Sequence, residues 1–172
     1  AAEKAYNLAG QASLHYHSAG LLHTHGLGLT GDALATTQRL LAEADNPQVG
    51  VDWQGEQPAD WNARLQPEAE ASTTLTTVDA TGAPLSTRDA AGHLRRQAYD
   101  VAGLLTGSWL TLKGGPEQVI LKALSYSAAG QKLREEHGNG LVTLYRYEPR
   151  TQRLAAVRTE RPAGHAQGAK VL

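Results

Sequence analysis

Four histidines stand at spacings that would let a β-hairpin bind a metal ion. His15, His17, His23 and His25 flank Gly20. Alternate residues of a strand share one face, so each pair of histidines would point the same way. Across a hairpin the four imidazoles could converge on zinc, or they could be ordinary imidazoles on an exposed hairpin. The chain has no cysteine and no carboxylate at a spacing that would orient these rings, so we predict no metal site.

A glycine fingerprint suggests a different chemistry, the binding of a dinucleotide. Gly26, Gly28 and Gly31 match G-x-G-x-x-G, and Asp52 follows Gly31 by 21 residues. Residues 32–44 could form the helix whose N-terminus would hold the phosphates. Such a fingerprint requires a strand–helix–strand context, whereas Gly31 also belongs to a repeat of turns described below. We therefore predict no nucleotide or other cofactor, and a small nucleotide-binding enzyme remains the alternative.

The run Glu135-Glu136-His137 has the residue types of acid–base catalysis. Neighbouring residues of a strand point to opposite faces, which separates the two carboxylates. The run precedes Gly138, so we predict a solvated shoulder of a hairpin and no catalytic residue. The sequence contains no G-x-S-x-G elbow, no P-loop and no H-E-x-x-H.

A repeated pattern of glycines predicts the strands and turns that carry these residues. Its template is an aromatic or polar residue, often Asp, then two small residues, Gly and Leu. The glycine spacings of 10 and 11 residues, from Gly82 to Gly92 to Gly103, give a period of 21 residues, and Gly130 to Thr151 repeats it. The positions that we assign to the repeat are Tyr16, Gly20, Asp79, Gly82, Asp89, Gly92, Tyr99, Asp100, Gly103, Tyr126, Gly130, Asn139 and Gly140.

This period predicts an all-β fold, a strip of antiparallel hairpins. A turn every 10 or 11 residues leaves strands of about 6 to 8 residues, the usual strand length. Asp at the start of a turn can accept hydrogen bonds from the backbone that follows. Glycine takes the positive φ that other residues resist, so we expect positive φ at several of Gly20, Gly82, Gly92, Gly103 and Gly130. Asn139-Gly140 between strand-like runs predicts a further hairpin.

The presence or absence of the repeat divides the chain into four parts. Residues 1–42 and 72–160 are predicted to be hairpins, and residues 161–172 a loop and a strand cut short. Residues 43–71 break the repeat with an acidic, Gln-rich stretch, which we interpret as an inserted loop. Pro58 could begin a short helix that extends to Leu65.

Composition excludes several classes of protein. The 172 residues carry a formal net charge of -1, so neither a nucleic-acid surface nor a polybasic membrane anchor is expected. The absence of Cys excludes disulfides, and no apolar run reaches the length of a membrane span. The N-terminal residues do not resemble a signal peptide, and the absence of Met suggests a piece of a longer protein. Aromatics are 5% of the chain with no Phe, so we expect a strip that needs neighbours to bury its core.

The Tyr-Asp-x-x-Gly-x-Leu spacing resembles the Rhs/YD-repeat family. Longer stretches at 51–55, 99–113 and 126–140 resemble the C component of bacterial insecticidal toxin complexes (TccC-type), and Thr159-Glu160-Arg161-Pro162 continues the likeness. The resemblance runs almost from end to end and transfers only the structural repeat positions. The self-cleaving protease and the variable toxin of that family lie nearer its C-terminus, so no catalytic residue is carried over.

The resemblance implies a segment of a spiralling hollow β cocoon. Such a cocoon is shared between the B and C components and encloses a cytotoxic C-terminal domain, which a pore-forming A component delivers into host cells. The implied partners are the rest of the same C component, the B component, the enclosed toxin domain and, indirectly, the A component. Direct membrane insertion is not implied, and the implied location is extracellular. An Rhs segment used for surface recognition or in a polymorphic toxin is the other alternative.

Overall fold

A computed structural model describes residues 2–54 and 58–171, and nearly all of its regular structure is antiparallel β-sheet. The chain forms two compact units, residues 1–92 and 93–172. The first contains α1 (Ala2–Ala5), β1 (Leu14–His17), β2 (Gly20–Leu27), β3 (Ala33–Leu40), α2 (Pro58–Asn62), a 3-10 helix (Glu68–Glu70), β4 (Ser72–Val78) and β5 (Pro84–Arg88). The second contains β6 (Leu94–Tyr99), β7 (Leu105–Thr111), β8 (Glu117–Tyr126), β9 (Lys132–His137), β10 (Val142–Tyr147), β11 (Leu154–Arg161) and β12 (Lys170–Val171). The predicted all-β class is confirmed.

Within each unit, strands that follow one another in sequence pair antiparallel. The helix predicted after Pro58 forms over Pro58–Asn62. None of the described helices has the length and apolarity needed to cross a lipid bilayer.

One turn design recurs between the strands. The N–H of its first residue donates to the carbonyl of the fifth, and the N–H of its fourth residue donates back to the first carbonyl. At Asp100 these bonds are 2.9 and 3.0 Å, at Asp79 they are 2.9 and 3.1 Å, and at Ser127 they are 2.8 and 2.9 Å. The fourth residue is a glycine with φ between 75° and 90° at each of these turns. This geometry matches a type I turn followed by a left-handed residue, which suits the twist of a hairpin.

Positive φ was expected at several of five glycines and is found at all five, but Gly20 differs from the others. Gly20 is the first residue of β2, with φ of 138°, and it pairs with His17 across a two-residue loop. A Cβ at this position would lie 2.1 Å from the carbonyl oxygen of Arg39. The prediction that Gly20 occupies the turn itself is therefore wrong, and glycine is needed where β3 approaches β2.

The period also misplaces the turn after β10. Glu148 begins this turn, and its N–H donates to the carbonyl of Arg153 at 2.9 Å. Positive φ falls on Gln152, at 56°, and not on Thr151. The turn is one residue longer than the others, so a count of 21 residues from Gly130 ends one residue early.

The residues before β1 form α1 and turns and not a further hairpin. Tyr6 and Asn7 instead lie beside the end of β2. The Leu27 N–H donates to the Tyr6 carbonyl at 2.9 Å, and the Asn7 side-chain amide donates to the Leu27 carbonyl at 2.9 Å. A non-repeating segment thus satisfies backbone groups at this end of the strand.

Few side chains are buried. Among the described residues the buried apolar ones are Leu21, Leu41, Leu65, Leu121 and Val142. The solvent-accessible area is 11526 Å², whereas the scaling for compact monomers gives about 8,100 Å² for this mass. Fifteen large apolar side chains in the part of the chain that the structure describes are exposed, so the hairpins leave much of their apolar surface uncovered.

Candidate functional site

The most elaborate packing of the first unit joins the irregular segment to the strands before it. We call residues 51–54 and 58–71 the docked segment. The Tyr16 ring of β1 contacts two indoles of this segment, with centroid distances of 5.1 Å to Trp53 and 5.0 Å to Trp61. Tilted and edge-on pairs of this kind are favourable arrangements of aromatic rings. The Tyr16 hydroxyl donates to the Asn62 side chain at 3.0 Å, and the Trp53 N–H donates to the His17 carbonyl at 3.1 Å.

Backbone and guanidinium contacts fix the second half of the docked segment. Nε and an η nitrogen of Arg39 donate to the Gln66 carbonyl at 3.1 and 2.6 Å. Leu41 and Leu65 form an isolated antiparallel bridge, and both side chains are buried together with Leu21. The segment that breaks the repeat therefore completes an apolar cluster of the first unit, to which it contributes Leu65.

The strand register separates the four histidines. Leu14 pairs with His23 and His15 pairs with Leu22, which puts the two histidine pairs on opposite faces of the hairpin. The His15 and His17 rings are 5.5 Å apart, and those of His23 and His25 are 3.9 Å apart. The four imidazoles do not converge, and no group of three or more potential ligands forms a metal site within the described ranges.

The glycine fingerprint lies on a hairpin. Gly28 and Gly31 are the first and fourth residues of the recurring turn: the Gly28 N–H donates to the Asp32 carbonyl at 2.8 Å and the Gly31 N–H to the Gly28 carbonyl at 3.1 Å. Gly26 lies at a bulge of β2 against Tyr6. The stretch that the nucleotide alternative requires as a helix is β3, so the phosphate-binding helix N-terminus does not form there.

The prediction of a solvated shoulder at 135–137 is wrong. The Glu135 side chain is only 12% exposed, and it accepts hydrogen bonds from Tyr145 and, at 2.7 Å, from Lys132. The hydrogen bond to Glu135, with burial, raises the pKa of Tyr145 to about 12. Burial acts to raise the pKa of Glu135, but the bonds from Lys132 and Tyr145 outweigh it and lower that pKa. The neighbouring strand β10 covers Glu135 through Tyr145. The position of the run before a glycine does not indicate this burial.

The two units share one polar motif, a histidine bonded to a ladder of two threonines. Nε2 of His25 lies 2.7 Å from the Thr37 hydroxyl, which lies 2.9 Å from that of Thr73. In the second unit His137, Thr143 and Thr159 repeat the arrangement, with both distances at 3.0 Å. Cross-strand hydroxyl pairs of this kind stabilise neighbouring strands.

Carboxylates cap the turns where the repeat places Asp. Oδ1 of Asp100 accepts from the N–H groups of Ala102 and Leu104, both at 2.9 Å. Asp79 accepts from Thr81 and Ala83, and the hydrogen bonds from the Thr81 hydroxyl and amide hold the pKa of this carboxyl below its usual value.

Two features of the second unit were missed by sequence reasoning. Arg96 forms two bonds with Glu117 at 2.7 and 2.8 Å while lying 5.1 Å from the centre of the Trp109 ring. Gly138 packs so tightly that a Cβ there would lie 1.6 Å from the Val119 carbonyl oxygen. The Arg96 contacts depend on strand register, which the sequence does not show. For Gly138, the only sequence signal was its position beside Asn139-Gly140.

Comparisons with known proteins show that this chain is similar to bacterial toxin subunits. The chain is 55% identical over 170 residues to toxin subunit YenC2 and 53% identical over 171 residues to toxin subunit YenC1, both of Yersinia entomophaga. Each match covers 99% of this chain. The crystal structure of TcdB2-TccC3 superposes with a TM-score of 0.88 at 51% identity, covering 99% of this chain. The chain is a homologue of one segment of these toxin C subunits.

This relationship covers a small part of the larger molecules. The chain spans 17% of each Yersinia toxin subunit and 8% of the matched TcdB2-TccC3 chain. A Tc holotoxin pore of Photorhabdus luminescens also matches, at 50% identity and a TM-score of 0.87. No family model matches the chain. The predicted resemblance to TccC-type toxin subunits is thus confirmed, and this chain is similar to a β segment of toxin-complex components.

Proposed function

We propose that this chain is a structural segment of the wall of a Tc toxin C component, and that this wall encloses the cytotoxic C-terminal domain before its delivery into host cells. The remainder of the same C component and the B component are its direct partners, and the A-component pore acts at a distance. The segment itself carries no catalysis and no cofactor, and it works outside the producing cell. One observation carries the proposal: a strip of paired hairpins that is 51% identical to a segment of TcdB2-TccC3.

The packing supports a role that depends on partners. The accessible area exceeds the value of about 8,100 Å² for a compact monomer of this mass. Val101, Leu29 and Val157 are among the exposed apolar side chains. A wall segment exposes such surface only when it is excised, because adjacent strip covers its strand edges and apolar residues in the whole protein. Within this proposal, residues 14–42 and 72–160 are the hairpins of the wall, residues 43–71 are an insertion that contains the docked segment, and residues 161–172 are a loop with a strand.

Protection of the enclosed domain from protease tests the proposal. The full-length C component that contains this segment is assembled with its B component, and digestion of the C-terminal domain is timed. The variant Gly138→Ala places a Cβ 1.6 Å from the Val119 carbonyl oxygen, whereas Gly50→Ala is the matched control because no atom lies within 4 Å of its Cβ.

The wild type and Gly50→Ala should protect the domain, and Gly138→Ala should expose it because β8 and the β9–β10 turn must move apart. Size-exclusion chromatography checks that each variant still assembles. Digestion of the wild-type domain as fast as the free domain would overturn the enclosure. Binding of the intact complex to cell surfaces without any enclosed domain would favour the surface-recognition alternative.

A further inference from the structure

Residues of the docked segment line a cleft together with two adjacent imidazoles, of which His23 is half-buried and His25 is exposed. The cleft has a volume of 380 Å³, lies over β1–β4, and is lined by His23 and His25 of β2. Their ring centroids are 3.9 Å apart with the planes tilted by 45°. His25 is bonded to Thr37, which leaves the pair fixed against the sheet. Protonation of His23 would therefore place a positive charge against the neighbouring His25 ring.

The other groups of the cleft do not neutralise such a charge. Tyr16 faces the pair from β1, Arg39 from β3 and Glu68 from the 3-10 helix, while β4 contributes only the hydroxyl of Thr73. Among the described ion pairs none joins Glu68 to an imidazole. A protonated His23 would thus share the cleft with the Arg39 guanidinium and a single carboxylate, and the like charges of His23 and Arg39 repel each other.

We propose that the docked segment is a pH-responsive latch, held on the sheet while His23 is neutral and released when His23 is protonated. The physical connection is Arg39, which lines the same cleft and holds the Gln66 carbonyl of the docked segment. Positive charge on His23 in this shared cleft repels the guanidinium and so weakens the contact that fixes the segment. This inference goes beyond the wall function, because it adds a response of the wall to acid.

The direction of the pH dependence follows from the environment of His23. Burial, and then the neighbouring His25, lower the pKa of His23 in the docked state. A histidine with a lowered pKa favours the docked state fully above its ordinary pKa of about 6.5. That contribution is lost as the pH falls through the lowered pKa. The latch therefore opens on acidification, below about pH 6.5.

Hydrogen exchange in the full-length C component assembled with its B component tests the latch. Protection of peptides within residues 58–71 is compared at about pH 7.5 and pH 5, after correction for the intrinsic exchange rate. We expect wild-type protection of these peptides to fall at the lower pH, because the pKa of His23 is lowered in the docked state. His23→Gln should remove most of that fall, and the matched control His15→Gln, on the opposite face of the hairpin, should behave like wild type. Peptides within residues 132–147 serve as the internal reference.

Several results would overturn the latch. One is equal wild-type protection of residues 58–71 at both pH values, and another is a fall that persists in His23→Gln. His23→Phe keeps a planar ring and provides a second uncharged variant. If both variants lose protection already at about pH 7.5, neutral imidazole is needed for packing and protonation is not the trigger. Protease protection of the C-terminal domain, measured on the same preparation, reports separately on the proposed wall function.

Discussion

Replacing Gly103 by valine isolates the role of positive φ in the repeated turn. Gly103 has φ of 77° and donates its N–H to the Asp100 carbonyl at 3.0 Å. No atom lies within 4 Å of a Cβ built there, so the substitution creates no steric clash. The cost is therefore conformational, and the left-handed region costs an L-residue about 1–2 kcal/mol. A β-branched side chain makes this region still less favourable.

The assay is hydrogen exchange of peptides within residues 94–111 in the full-length C component assembled with its B component. A loss of about 1–2 kcal/mol corresponds to protection lower by a factor of about 5–30. Gly50→Val is the matched control, because a Cβ at Gly50 also meets no atom within 4 Å and the φ of Gly50 lies outside the left-handed region. Similar protection in the two variants would refute the reasoning that positive φ is what the repeat requires of this glycine.

Three further predictions concern the turns, the Glu135 network and the isolated chain. Asp79→Ala should lower the thermal stability of the assembled component more than Asp79→Asn, which keeps an acceptor for the Thr81 amide; equal losses would contradict the capping role. Tyr145→Phe should cost about 1–2 kcal/mol in chemical denaturation. Lys132→Met should destabilise above about pH 4.3 and lose its effect as the pH falls through the lowered pKa of Glu135, whereas a pH-independent loss would show that Lys132 acts through packing. The isolated 172-residue chain should self-associate or unfold non-cooperatively; a monomer that melts cooperatively above about 60 °C would show an autonomous domain.

The sequence predicted those features that depend on local turn chemistry. The positive φ at Gly82, Gly92, Gly103 and Gly130 follows from residues within a few positions of each turn. The strands between the turns follow from their β-branched composition. Gly20 shows the limit of this reasoning, because its requirement comes from Arg39, a residue on the next strand. Local spacing cannot distinguish a glycine needed for φ from one needed for close approach.

The docked segment could be predicted only in part. The helix after Pro58 follows from local signals. Its packing against Tyr16 does not, because Trp61 and Tyr16 are 45 residues apart in the sequence. In the same way, the near burial of Glu135 depends on Tyr145 of the next strand and its register. The period of the repeat carries no information on contacts that depend on strand register or on docking between distant residues. Contacts of the second kind hold the segment that we propose as a latch.

The most direct test of the wall account is a single-particle structure of the full-length C component bound to its B component. The account predicts that the outer edges of β1 and β12 pair with further strands of the wall, because an isolated edge leaves backbone donors and acceptors unpaired. It also predicts that the C-terminal domain lies inside the closed wall. A reconstruction in which both edges face solvent, with the C-terminal domain outside, would contradict the account.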